Sequence, residues 1–388
     1  MGKRSKPHSG SIAYYPRKRA AKETASFRAF PSVLVKEGEK GRPLNFLAYK
    51  AGMTHVLGRD AHQGGVNVGH EVAVSATVLE APPLKVFGIR AYGKAPVGSY
   101  GVVPLMDVLA ENVDKSLLRR LHGFKKKVRK KQRKEPEKKP KTVSDLDAAK
   151  EKVAFVRILC HSLPGRTNFG KKTPDICEVA LSGNAGQQLA FAREKLGHEI
   201  SVSDVFSDSA FVDIKAVTKG KGMQGVVKRF GIKSQRPKSQ KVRVVGSLGP
   251  WNPSTIMFQV ARPGQMGYHS RTEFNKRVLK IGSAKEIAVV NPKGGFKNYG
   301  VVANDFVILA GSVAGPVKRA ISLRAPVRLP DMQKHKLESL DYVAASAEEK
   351  EIAEEEVKAG HVVAEKEQKQ EKKSVADEIA SAVKGEKK

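Results

Sequence analysis

Apolar residues are spread along most of this chain in short blocks, and the spacing within each block predicts its structure. The stretches LNFLAYKAGMTHVLG and HEVAVSATVLEAPPLKVFGIRAYG interleave β-branched and aromatic residues with Gly and Pro breaks. They predict short strands, two of them over 72–80 and 84–92, at the spacing of a barrel or sandwich. Pro104 to Leu121 has helical periodicity, and a short helix capped by Ser144 is expected to run to Lys152. Strands at Val153–Cys160 and 176–181, then a helix over Gln187–Leu196 stopped by Gly197, complete an α/β stretch. Strand character returns at 211–217, Phe274–Ile281, Ile287–Val290, Asp305–Leu309 and 321–329. The chain therefore reads as mainly β. Segments 44–103 and 201–330 form one discontinuous barrel, and 104–200 is an inserted α/β region.

One long interval breaks the pattern. Ile214 to Thr272 spans 59 residues with twelve Lys and Arg and no Asp or Glu. Such a one-signed segment repels itself. It has too few large apolar residues for a core of its own, while ordering costs about 1–2 kcal/mol per residue. A polyanion is the partner whose charge offsets both terms, so residues 215–272 are expected to form a basic finger laid against phosphates.

The overall charge agrees. The 388-residue chain carries a formal +32, and residues 331–388 hold 11 Lys against 15 Asp plus Glu, so the excess lies in the body. Nucleic acid comes first among partners. Residues 1–43 form a basic arm containing Lys3, Arg4, Lys6, Arg17, Lys18 and Arg19, with Tyr14 and Tyr15 beside the triplet. That composition suits a strand laid along RNA, the alternative being a disordered tail. Thirteen Lys and Arg over 119–141, Lys126 and Arg129 among them, form either a phosphate-binding loop or a solvated linker. Beyond 331 the tail is charged, and Ile352, Val357 and Val375 allow marginal helices within an otherwise disordered segment.

Other chemistries fit poorly. Gly220, Gly222 and Gly225 spell a dinucleotide or kinase glycine loop, yet no acid follows before Glu273 to hold a ribose. Those glycines more plausibly let the backbone approach a phosphate between Lys219 and Lys221. Two cysteines, Cys160 and Cys177, lack partners at zinc spacing. No apolar run approaches the ~20 residues that span a bilayer, and the N-terminus has no apolar signal core, so the expectation is a cytoplasmic protein without cofactor or membrane partner. His269 has no nearby carboxylate for general-base work. Trp251, the single Trp, lies in GSLGPWNPS, a tight loop tip where a ring presented to bases competes with one folded back on the protein.

These residues bring a family into view. HSGSIAYYPRKR, FLAYKAGMTHV, DIKAVTKGKGMQGVVKRFG, GSLGPWNPSTIMFQVARPGQMGYHSRTEFNKRV, NPKGGFKNYG and VVANDFVILAGSVAGPVKR make the chain resemble the L-three family of large-subunit ribosomal proteins, in its archaeal and eukaryotic form, over about 1–330. The resemblance implies a six-stranded antiparallel barrel of the translation-protein type with two long basic extensions. It implies binding to large-subunit rRNA early in assembly, contact with neighbouring ribosomal proteins, and an indirect influence on tRNA and translation factors. The finger tip, here Trp251, would approach the peptidyl-transferase centre. Ser239 stands where eukaryotic members have a modifiable histidine, so no such modification is expected.

Residues expected on RNA are Lys3, Arg4, Lys6, Ser9, Arg17, Lys18 and Arg19 of the arm, and Lys126 and Arg129 of the basic loop. On the finger they are Lys219, Lys221, Lys228, Arg229, Lys233, Arg236, Lys238, Lys241, Arg243, Trp251, Arg262, His269 and Arg271. No catalytic residue is expected. The rival reading is a free-standing RNA-binding assembly factor or chaperone.

Overall fold

Six of the seven strands in the main sheet each pair with at least two others, which sets the frame for everything outside it. The computed structural model describes residues 10–31, 34–35, 41–60, 66, 69–95, 101–110, 112–121, 142–208, 210–328 and 337–343. The strands are β1 (Asn45–Asp60), β2 (Glu71–Glu80), β3 (Leu84–Lys94), β4 (Val102–Leu109), β5 (Phe155–Ser162), β6 (Ile176–Ala180) and β7 (Glu199–Ile200). They continue with β8 (Phe211–Val217), β9 (Met223–Gln224), β10 (Gly264–Gln265), β11 (Ser270–Gly282), β12 (Phe306–Ala310), β13 (Ala320–Arg324) and β14 (Leu337–Val343). The α-helices are α1 (Val143–Ala148), α2 (Ala185–Glu194), α3 (Val226–Phe230) and α4 (Ile287–Val290).

The main sheet runs β13–β8–β11–β12–β2–β1–β14, and β1 pairs in addition with β13, the pairs among the first six being antiparallel. Residues on both faces of these strands, among them Phe46, Tyr49, Val78, Leu79, Ile214, Phe306, Ile308 and Leu323, are almost wholly buried. Each contributes about 1.5–3 kcal/mol of transfer free energy. One charge pair lies among them: Arg324 Nη2 donates to Asp213 Oδ2 at 2.6 Å. The other Asp213 oxygen accepts from Asn275 N at 3.2 Å, and the Phe27 ring covers the guanidinium at 4.3 Å. The arm is thus laid onto the sheet, with Arg324 Nη1 donating to Ala29 O at 2.9 Å and Ser322 Oγ donating to Ala25 O.

The second sheet runs β4–β3–β5–β6, with β7 also on β3. A hydrogen-bonded hub ties it to the first. Tyr49 OH donates to Asp175 Oδ2 at 2.8 Å and lies 2.7 Å from Ser162 Oγ, and Phe169 sits between the Tyr49 and Tyr299 rings. Helix α2 packs on β5 and opens with a reciprocal cap between Asn184 and Gln187.

Several expectations change. Strand β3, whose spacing suggested a barrel strand, is flanked on both sides inside the second sheet, which explains its nearly continuous burial. Pro104–Leu121 is not a helix. Its first half is β4, laddered to β3 from Gly88↔Leu109 to Lys94↔Val102, and only Leu117–Arg119 makes a 3-10 turn. Cross-strand pairing overrides the local periodicity there. Ile287–Val290 is helical, the strand expected over 321–329 stops at Arg324, and Thr142 rather than Ser144 caps α1 with Asp145. Within the expected tail, Leu337–Val343 is a strand, while residues 344–388 lie outside the described residues. Both cysteines are buried thiols facing each other across β5 and β6.

Candidate nucleic-acid interface

The finger leaves the main sheet from two adjacent ladder positions, Val217 and Ser270. The ladder continues outward: Thr218 N donates to His269 O at 2.9 Å, Lys221 N to Met266 O at 2.9 Å, and β9 pairs with β10. Close approach of the two legs dictates Gly267, at φ 72°, because a Cβ there would lie 2.1 Å from Lys219 O. This glycine of the GQMGYHSRT string is therefore needed by the protein's own backbone, whichever ligand binds outside.

Helix α3 follows, ended by Gly231 at φ 66° in the left-handed cap conformation. Its Arg229 turns inward. Nε donates to Gln265 O at 2.9 Å, Nη1 to Arg262 O at 2.8 Å, and Nη2 to Arg17 O at 3.3 Å. The arm is fastened along the same edge. Ala20 N donates to Tyr268 O at 2.8 Å, and His269 Nδ1 lies 3.1 Å from Lys18 O. The guanidinium of Arg17 sits over the Phe230 ring at 4.3 Å and that of Arg271 over Tyr14 at 4.5 Å, while Tyr15 meets Phe258 edge-on at 5.6 Å. Burial, with Arg271, Arg17 and Arg229 adding to it, lowers the His269 pKa despite the Lys18 carbonyl. The ring is therefore neutral near pH 7, a spacer in a crowd of cations.

The expected RNA contacts thus divide. Lys18, Arg19, Lys219, Lys221, Lys228, Lys233, Arg236, Lys238, Lys241, Arg243 and Arg262 point outward and are exposed. Arg17, Arg229, His269 and Arg271 are half-buried and occupied with carbonyls or rings. Sequence alone did not distinguish these fasteners from free cations. Lys3, Arg4, Lys6, Ser9, Lys126 and Arg129 lie outside the described residues.

Residues 231–263 contain no helix or strand. A local turn shapes them: Gln235 N donates to Val242 O at 2.9 Å and Ser239 Oγ to Gln235 Oε1 at 3.0 Å, which turns Arg236, Lys238 and Lys241 outward. Trp251 is 93% exposed, with Ile256 and Met257 also exposed nearby. The folded-back position is thereby excluded. The charged loop thus leaves an apolar cluster in water. Among the described residues no group of three His, Cys, Asp or Glu is placed to hold a metal, and no helix is long and apolar enough to cross a membrane.

A family model described as Ribosomal protein L3 matches residues 1–350. This chain belongs to the ribosomal protein L3 family. It is 40% identical over 353 residues to the large ribosomal subunit protein uL3 of Methanobrevibacter smithii, covering 90% of this chain and 99% of that protein. It is 41% identical over 349 residues to uL3 of Methanocaldococcus jannaschii (89% and 98% covered) and 42% identical over 351 residues to uL3 of Methanococcus vannielii, with the same coverage. Membership makes the chain a structural constituent of the large ribosomal subunit, a ribonucleoprotein component of translation and not an enzyme.

Proposed function

We propose that the chain binds large-subunit rRNA early in assembly through one continuous basic surface, with the arm and the finger as its two strips. The six-strand ring acts as a translation-protein barrel that mounts this surface, and Trp251 at the tip supports the peptidyl-transferase centre of cytoplasmic ribosomes. The observation that carries this reading is the finger itself: no acid between Ile214 and Thr272, its outer cations exposed, and its Trp in water. Lys219, Lys221, Lys228, Lys233, Arg236, Lys238, Lys241, Arg243 and Arg262, with Lys18 and Arg19, take phosphates. Arg17, Arg229 and His269 hold the two strips in register. Contact with neighbouring ribosomal proteins, and through the catalytic centre with tRNA and translation factors, follows from that position.

The test is a salt titration of the purified protein on a large-subunit rRNA fragment. With roughly 8–10 phosphate contacts, log K falls against log salt with a slope of about −6 to −9. A flat titration overturns the phosphate model.

A further inference from the structure

The arm and finger do not hold all the uncompensated positive charge. On the second-sheet side, the segment between β4 and α1 meets the turn after β5, and the two form an open cup of about 380 Å³. Lys115, Ser116, Arg119, Arg166 and Lys172 line it, with Leu163, Pro164 and Gly165 as its apolar wall. Its volume falls in the range of about 300–1,000 Å³ usual for ligand clefts. None of its residues belongs to the arm or the finger.

The local acids are already engaged. Glu199 takes Arg166 in a two-pronged pair, at 2.8 and 2.6 Å. Asp114 accepts from Lys85 Nζ at 2.8 Å and lies 3.3 Å from His161 Nε2. Asp175 is taken by Lys171, Tyr49 and Thr24. Lys115, Arg119 and Lys172 are exposed and have no partner among the described residues, so three positive charges converge on one concavity. The Ser116 hydroxyl adds a neutral donor. Gly165 leaves the turn's backbone open, since a Cβ there would meet nothing within 4 Å.

We infer that this cup binds a phosphodiester of an RNA backbone, giving the protein a second rRNA contact on the inserted region. The inference rests on the RNA-binding reading above and extends it to Lys115 and Lys172, outside the basic arm, finger and loop, with Arg119 the first residue of that loop. Three cations without a counter-charge, converging on one concavity, favour an anionic ligand. A nucleic-acid backbone suits the open shape and the lack of any aromatic ring in the lining, because such a site takes a phosphate without reading a base. Arg166, held by Glu199, forms a fixed wall, and Lys115, Arg119 and Lys172 supply the mobile donors.

The experiment compares salt titrations of the full chain on a large-subunit rRNA fragment for three proteins: the parent, Lys115→Gln/Arg119→Gln/Lys172→Gln, and Lys219→Gln/Lys221→Gln on the finger. Each lost phosphate contact lowers the steepness of log K against log salt by about 0.7–0.9. The cup variant is expected to be shallower by about 2–3, and the charge-keeping Lys115→Arg/Lys172→Arg variant unchanged from the parent. Equal melting temperatures show that the substituted proteins are folded. A cup variant with the parent's slope, beside a finger variant that loses its share, overturns the cup while sparing the main reading. If both variants keep the parent's slope, the RNA reading itself fails. A photo-crosslinker placed at position 172 in assembled subunits should join rRNA, and a join to a protein neighbour instead overturns the assignment.

Discussion

The guanidinium carbon of Arg17 lies 4.3 Å from the centre of the Phe230 ring, and the carbonyl of Arg17 accepts from Arg229 Nη2 at 3.3 Å. One arm residue is therefore gripped twice by the short helix at the finger root, through its side chain and through its backbone. The arm and the finger behave as a pair, each restricting the other before RNA arrives.

Arg17→Ala removes the ring contacts and keeps the carbonyl. A cation over an aromatic face contributes about 0.5–2 kcal/mol. Opening of the arm, read as tryptic cleavage after Lys18 or Arg19 in the free protein, is expected to speed up by about 2- to 30-fold under conditions where cleavage follows the open population. Unchanged cleavage means that the backbone bonds alone hold the arm.

Trp251→Ala tests the tip. A side chain that is 93% exposed adds little to folding, so the unfolding free energy should move by no more than about 0.5 kcal/mol. Loss of one stacked base costs about 1–3 kcal/mol of RNA affinity, roughly a 5- to 150-fold weakening. Because Trp251 is the single Trp, its fluorescence reports directly: emission typical of water in the free protein, shifted or quenched on RNA. Blue emission before RNA is added contradicts the exposed placement.

His161 gives a pH signature. Its ring is buried against Phe87, with Nδ1 3.1 Å from Ser162 O, and burial lowers its pKa despite the pull of the Ser162 carbonyl and Asp114 and with a small push from Lys85. The unfolded chain, with a histidine pKa of about 6.5, then binds the proton more readily than the folded protein. Stability is complete above that value and falls as pH drops below it toward the lowered folded pKa. Urea unfolding between pH 7.5 and 5 should show this loss, and His161→Phe should flatten it. An equally steep profile in the variant assigns the loss to other groups.

Many of the strand positions could be read from runs of apolar and β-branched residues, because β8 and long parts of β1 and β2 are buried on both faces. β4 could not. Val102, Val103 and Leu105 are exposed, so no face was marked, and its strand character comes from pairing with β3. The interface divides in the same way. The acid-free interval and its lone Trp are visible in the sequence directly. A sequence gives no sign, however, of whether an arginine ends on a phosphate or on a carbonyl of its own chain, and Arg229 ends on three carbonyls. The Lys115–Lys172 cup has no sequence signal for a related reason: its cations are far apart in sequence, and Lys115 and Lys172 each have an acid within three residues, Asp114 and Asp175.

The two legs of the finger depart from Val217 and Ser270, which face each other in the ladder. A tug on the tip consequently loads these hydrogen bonds one rung at a time, as a zipper opens, and never shears a whole row at once. Mechanical strain arriving at Trp251 would be spent at the outermost rungs, sparing the strands behind them, and the main sheet would hold its shape while the tip yields.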